Sequence, residues 1–178
     1  KTMKVNRYNY SNKGKIKEIF YKNNGKDKKF ILDQKIEELK IKNSEINTSF
    51  NSDNNNYILA TGNYELNNLK LNKYTITSKI KKNIYDLSIN LDYSDDLNFE
   101  IINYKKDKGK IANITLDMNL KGNKIHLKEV SIKENNNEIF LKGLKFDKKN
   151  FVTLNKIYVK TFDEKGLQNS FEIIYGNK

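Results

Sequence analysis

Apolar and polar residues alternate along most of this chain with a period of two, the pattern of strands that bury only one face. The cleanest run is Tyr85, Leu87, Ile89, Leu91 and Tyr93, separated by Asp86, Ser88, Asn90 and Asp92. A second sets Ile114, Leu116, Met118 and Leu120 against Thr115, Asp117 and Asn119. Tyr74, Ile76, Ser78 and Ile80 make a third, and Phe171, Ile173 and Tyr175 a fourth. Shorter runs join Ile125 with Leu127, Val130 with Ile132, Ile139 with Leu141, and Ile157 with Val159. Turn-forming clusters punctuate them: Asn23-Asn24-Gly25, Ser52 to Asn56, Asp107-Lys108-Gly109, Lys121-Gly122-Asn123, Asn135 to Asn137 and Glu164-Lys165-Gly166. No long stretch reads cleanly as helix. In Gln34 to Lys42, Ile36, Leu39 and Asn43 share a helical face while Leu39 and Ile41 alternate, and strand is the preferred reading.

Several runs change parity midway. Ile125 and Leu127 are odd where Val130 and Ile132 follow a different phase, and Leu154 does the same before Ile157 and Val159. A one-residue slip turns every side chain to the other face, so each change requires a turn or bulge. The expectation is an all-β fold: one domain over residues 1–178, a long, twisted antiparallel meander of about a dozen strands with little helix. One face is apolar and the other rich in Lys and Asn. Such a sheet either closes on itself as a sandwich or barrel, or curls into a groove (taco- or jellyroll-like) that holds something apolar.

Composition narrows the chemistry. Of 178 residues, 34 are Lys or Arg and 22 Asp or Glu, a formal net charge of +12. Only Arg7 carries a guanidinium, and a phosphate-reading surface generally favours Arg, whose planar fork grips phosphate in two places. The lysines therefore read as a solvated face, and no nucleic acid is expected as partner. Pro and Cys are both absent, which excludes disulfides, cysteine zinc sites and thiol nucleophiles. No run is long and apolar enough to span a bilayer as a helix. The chain begins at Lys1, which suggests a piece of a longer protein.

Catalytic constellations are scarce. His126, the only histidine, has a parity opposite to its apolar neighbours and reads as an exposed strand residue; no G-x-S-x-G turn presents a serine to it. The acidic stretch Asp92 to Asn98 partly mimics a calcium loop, but Leu97 stands where the sharp-turn glycine belongs and Asn103 where the closing glutamate belongs. It reads as a strand end and turn. None of the eight glycines builds a phosphate-binding loop, and the Asn-x-Ser/Thr triplets at Asn9, Asn47 and Asn113 are expected by chance in a chain so rich in Asn. No enzyme, metal or cofactor is expected.

The second half carries a resemblance. The strand Tyr85 to Leu91 leads to the turn Lys105-Lys106-Asp107-Lys108-Gly109-Lys110, then to Ala112-Asn113-Ile114-Thr115-Leu116. There follow the step Ile139-Phe140-Leu141-Lys142-Gly143-Leu144-Lys145-Phe146-Asp147, then Leu154-Asn155-Lys156-Ile157 and Asn169-Ser170-Phe171-Glu172-Ile173. In this layout residues 85–178 resemble the AsmA-like family of bacterial envelope proteins, in particular its DUF3971/YhdP-type members, although the proline of the family's turn is missing. The resemblance implies a repeating β-groove on the periplasmic side of the cell envelope, anchored in the inner membrane through a segment outside this chain. Phospholipid or another envelope lipid would pass along its apolar channel toward the outer membrane. The residues that would line that channel are Tyr85, Leu87, Ile89, Leu91, Ile114, Leu116, Met118, Leu120, Ile139, Leu141, Phe171 and Ile173. The lipopolysaccharide-export bridge proteins, with a β-jellyroll, are the second resemblance. A basic surface domain that binds a polyanion is the reading from a different class.

Overall fold

Period-two alternation becomes strand almost throughout the described residues, which are 7–23, 30–31, 34–53, 55–163 and 165–175 of a computed structural model. Asn24 and Gly25, Asn54 and Glu164, each part of a predicted turn, lie outside them. The strands are β1 (Asn9–Lys22), β2 (Phe30–Ile31), β3 (Gln34–Lys35), β4 (Glu38–Asn51), β5 (Asn56–Leu66), β6 (Asn72–Lys81), β7 (Ile84–Tyr93), β8 (Leu97–Phe99), β9 (Tyr104–Lys106), β10 (Ala112–Lys121), β11 (Lys124–Glu134), β12 (Asn137–Asp147), β13 (Asn150–Thr153), β14 (Lys156–Phe162) and β15 (Gln168–Ile174). One turn of 3-10 helix, Glu100–Ile102, is the only helical element among the described residues. The fold is all-β, and the ambiguous 34–42 stretch is strand.

An antiparallel sheet of 11 strands runs in the order β1-β4-β5-β6-β7-β10-β11-β12-β14-β15, with β13 beside β12. Neighbours in space are nearly always neighbours in sequence, so tight hairpins make the connections. Several of those hairpins use Lys or Asn at positive φ where glycine is the commoner choice: Lys82-Asn83 (φ 48° and 63°) and Lys148-Lys149 (φ 49° and 71°). The sheet does not close. Its ends, β1 and β15, are at opposite ends of the strand order, so the barrel alternative falls away.

Cross-strand register assigns the faces. Tyr74, Leu91, Ile114, Ile132, Ile139, Val159 and Phe171 follow one another across seven strands. Ile76, Ile89, Leu116, Val130, Leu141, Ile157 and Ile173 make the next row on the same face. The opposite face carries rows such as Thr75, Asn90, Thr115 and Ser131. The parity change after Leu127 is a bulge: the β10–β11 register shifts between Asp117 and Met118, which keeps Leu127 and Val130 on one face, whereas the change after Leu154 falls in the break between β13 and β14.

Glycine permits two of these irregularities. Gly143 stands in β12 at φ +71°, and a Cβ there would lie 2.5 Å from the Asn155 side chain in the break between β13 and β14. Gly62 lets Ser44 approach so closely that a Cβ would meet its Oγ at 2.3 Å, next to the β4–β5 register shift. In that space Ser44 accepts a hydrogen bond from the Tyr74 hydroxyl at 2.7 Å.

Burial is concentrated at one end. The buried apolar residues are Tyr64, Tyr93, Leu97, Tyr104, Ala112, Ile132 and Val159. Most of the remaining apolar face is only half-buried, with no second layer over it among the described residues. What covers the buried end is the segment between β7 and β10, which folds back so that β8 and β9 pair as a hairpin. Its Leu97 and Tyr104 pack with Tyr93, Ala112 and Ile132, and Phe99 and Ile102 extend that cluster toward Ile114 and Ile139. Asn72 Nδ2 donates to Ser94 Oγ at 2.9 Å, and Asn169 Nδ2 donates to the Ile102 carbonyl at 2.9 Å. The sheet thus curls around the insert and is fastened to it from β6 and from β15.

Gly143→Ala should lower stability by about 1–3 kcal/mol, through positive-φ strain and the clash with Asn155. Gly14→Ala, with nothing within 4 Å, should change it by no more than about 0.5 kcal/mol. Urea denaturation of both variants checks the assignment; equal effects would mean that the bulge is not where the register puts it.

Candidate functional site

The insert that builds the core is held by a buried ammonium. Lys106, at the end of β9, is fully buried, and its Nζ donates to the carbonyls of Asp95, Lys110 (2.8 Å) and Asp107 (3.3 Å). Its three protons thus have three backbone acceptors, and the Tyr93 ring lies beside it with its centroid 5.6 Å away. Burial pulls the Lys106 pKa below the ordinary lysine value, against the opposing charges of Glu134, Asp95, Asp96 and Asp107. The acidic stretch that mimics a calcium loop supplies one carbonyl, that of Asp95, to a cation that belongs to the chain itself. The stretch is a strand end followed by a bend, as its sequence suggests. Asp92 and Tyr93 do end β7, yet Ser94, Asp95 and Leu97 are buried at the root of the insert.

The same packing buries three tyrosines. Tyr64 donates to the Asp92 carbonyl at 2.6 Å, and burial raises its pKa. Tyr93 is pushed up to about 12, by burial first and then by Asp95 and Asp96. Tyr104 is raised by burial and by the nearby Glu134 charge, although its hydroxyl meets no acceptor at bonding geometry. The Glu134 carboxylate is instead taken up by the side-chain amides of Asn135 (2.9 Å) and Asn137 (2.7 Å).

Between the insert and the sheet lies an apolar cleft of about 810 Å³. Phe99, Ile101 and Ile102 form one wall; Val130, Ile132, Ile139 and Leu141, on β11 and β12, form the other. Asn98 and Glu100 supply its polar lining. The volume is that of a site for one small ligand. Ile101, at the tip of the 3-10 turn, is wholly exposed beside it.

The twelve residues singled out in the sequence all fall on one face of the sheet. Tyr85, Leu87, Ile89 and Leu91 pair with Leu120, Met118, Leu116 and Ile114 across β7 and β10. Register carries the same face through Ile139 and Leu141 to Phe171 and Ile173. Leu91, Ile114 and Ile139 pack against the buried cluster, and Ile139 and Leu141 line the cleft. Tyr85 and Ile173 remain exposed, at 46% and 53%. The insert side of the cleft was not foreseen: Phe99, Ile101 and Ile102 carry no extended alternation, so parity gives no signal for them. Val130 and Ile132 do show the alternation, and the parity change after Leu127 was the clue to their face.

His126 is half-buried where the sequence led to exposure. It lies on the polar face opposite Asn119 and Lys145. Burial, with Lys145 and Lys128 nearby, lowers its pKa. Among the described residues no three His, Asp or Glu side chains are placed to hold a metal ion, and no helix is long and apolar enough to cross a membrane. No protein-family model, curated protein or solved structure matches the chain.

Lys106→Met should cost about 2–4 kcal/mol, because it leaves buried carbonyls without a donor. Lys110→Met removes the exposed ion pair with Asp107 at 2.8 Å but leaves the Lys110 carbonyl in place, and should cost far less. Chemical denaturation separates the two. For His126 the sign follows from its lowered pKa: below the ordinary value of 6.5 the unfolded chain takes up a proton that the folded chain refuses. Stability should therefore fall as pH drops through that value, and His126→Gln should flatten the thermal midpoint between about pH 7 and 5.5.

Proposed function

We propose that the chain is a lipid-handling segment, which carries acyl chains on the apolar face of its open sheet. The observation that supports this most is the continuity of that face. Across β7 and β10, and along the paired positions Ile125, Leu127, Val130 and Ile132 of β11 and Ile139, Leu141, Leu144 and Phe146 of β12, every residue is apolar. An apolar face of that extent marks a surface that something else covers. Acyl chains suit it: each methylene taken from water contributes about 0.8 kcal/mol and demands no directional partner.

The envelope resemblance points the same way. On this reading the protein belongs to a periplasmic lipid-transport bridge of AsmA-like type, takes phospholipid or another envelope lipid, and works by binding, with no chemical step. The membranes would be reached through parts outside this chain. The basic, polar face then serves as the solvated outer wall.

Leu116 and Thr115 are adjacent in β10 and lie on opposite faces. Leu116→Asp places a charge in the middle of the apolar path and should abolish lipid crosslinking to a photoprobe at Met118, while Thr115→Asp leaves it nearly intact. Circular dichroism must show that Leu116→Asp stays folded. Full lipid contact in folded Leu116→Asp would overturn the proposal, as would a lipid-free protein that dimerises through this face.

A further inference from the structure

The apolar cleft under the insert is polar at one place only. Its floor is the pair Ile132 and Ile139, of which Ile132 is buried. Its rim holds Asn98 and Glu100, both exposed. In a chain with 34 Lys or Arg among 178 residues, no described Lys or Arg lines this cleft, so Glu100 is its one charge.

That charge is free. Among the described residues no side chain bonds the Glu100 carboxylate, and the Asn98 amide is likewise open. Other acids at this end are satisfied within the chain: Glu134 by the amides of Asn135 and Asn137, Asp107 by Lys110. The backbone that carries Glu100 is held in place. Its carbonyl accepts from the Asn103 N–H at 3.1 Å, and Asn169 Nδ2 donates to the Ile102 carbonyl at 2.9 Å.

The cleft also opens onto the rest of the sheet. Beyond Ile132 and Ile139 the same face continues through the pairs Val130–Leu141, Leu127–Leu144 and Ile125–Phe146. That path runs roughly 20 Å along β11 and β12, away from the insert, and every side chain on it is apolar. It starts at a carboxylate and continues as hydrocarbon.

We propose that the cleft is the head end of a site for an ammonium-headed, single-chain amphiphile. Its tail lies over Ile132 and Ile139 and on toward Leu127 and Leu144, and its ammonium group lies against Glu100 and the Asn98 amide. The head answers the one charge in the lining, against a net charge of +12 on the chain as a whole. A phosphate or carboxylate head in the same place meets repulsion. This deepens the lipid-handling reading and rests on it, since the tail path belongs to the same apolar face.

The test is isothermal titration below the micelle-forming concentrations, at about 0.15 M salt so that distant lysines are screened. The probes are dodecylammonium, dodecyl maltoside, dodecyl phosphate and, as a head without a tail, ethylammonium. Dodecylammonium should bind about threefold more tightly than dodecyl maltoside and about tenfold more tightly than dodecyl phosphate. Ethylammonium should bind at least about a hundredfold more weakly than dodecylammonium. Glu100→Gln, with its circular dichroism unchanged, should remove the preference for the ammonium head. Asp53→Asn removes the same charge in the β4–β5 turn and should keep it. Equal binding of dodecylammonium and dodecyl phosphate, or equal effects of the two variants, overturns the head site and leaves the lipid reading standing. Ethylammonium as tight as dodecylammonium overturns the joint site. No binding of any dodecyl probe overturns both readings.

Discussion

A single layer of sheet cannot cover its own apolar face, and the rest of this structure follows from that constraint. Hairpin connections keep the sequential strands of the main sheet adjacent, and among the described residues none returns to lay a second large sheet over the first. The insert between β7 and β10 folds back, and burial is found where it does: Tyr93, Leu97, Tyr104, Ala112 and Ile132 are within its reach. Elsewhere the apolar rows remain half-exposed. A caged lysine is a fitting anchor for such an insert. An ammonium that bonds three carbonyls fixes the start and end of the segment to each other, whereas apolar contacts alone would allow it to slide.

The second constraint is registry. Strands of 10 to 14 residues twist, and a strictly regular ladder of that length leaves little freedom to curl. Bulges supply the bend, and each one threatens to turn the apolar row outward. The shifts at Lys42/Glu45 and Asp117/Met118 are placed so that the chain's own pattern changes phase with them, and the face survives. Gly62 and Gly143 are the small residues at which neighbouring backbone or side chain comes too close for a Cβ. The polar face shows the complementary economy: Lys40 and Lys42 reach Glu65, and Asn90 and Asn113 exchange amide hydrogen bonds, without a buried partner.

Much of this was legible beforehand. The period-two runs gave the strands, the faces and even the existence of the bulges, because a sheet open on one side imposes its periodicity directly on the residues. The fold-back of the insert was not legible, since Leu97 to Lys106 contains two strands of three residues, too short to alternate recognisably. Lys106 was hidden for another reason. In a chain with so many lysines, nothing in the sequence separates the buried one from the solvated ones; its burial depends on carbonyls brought together from Asp95, Asp107 and Lys110. His126 shows the limit of parity, which assigns a face but not an exposure: long neighbours such as Lys128 and Lys145 half-bury a side chain on the polar side.

An uncovered apolar face also changes what binding does to the fold. In most domains the core is complete before a ligand arrives, and the site is a separate concavity. Here the row from Tyr74 to Phe171 is core at the insert's end, and the rows behind it are half-exposed, so one surface serves both folding and the proposed cargo. A tail laid on that surface takes the place of the missing layer. Its burial adds to the free energy of folding by linkage, about 2.7 kcal/mol at a hundredfold excess over the dissociation constant. The insert then has a role beyond closing one end. On the proposed lipid reading, the insert, by fixing where the self-made core stops, would also fix where a tail can begin, at the cleft between Ile102 and Ile139.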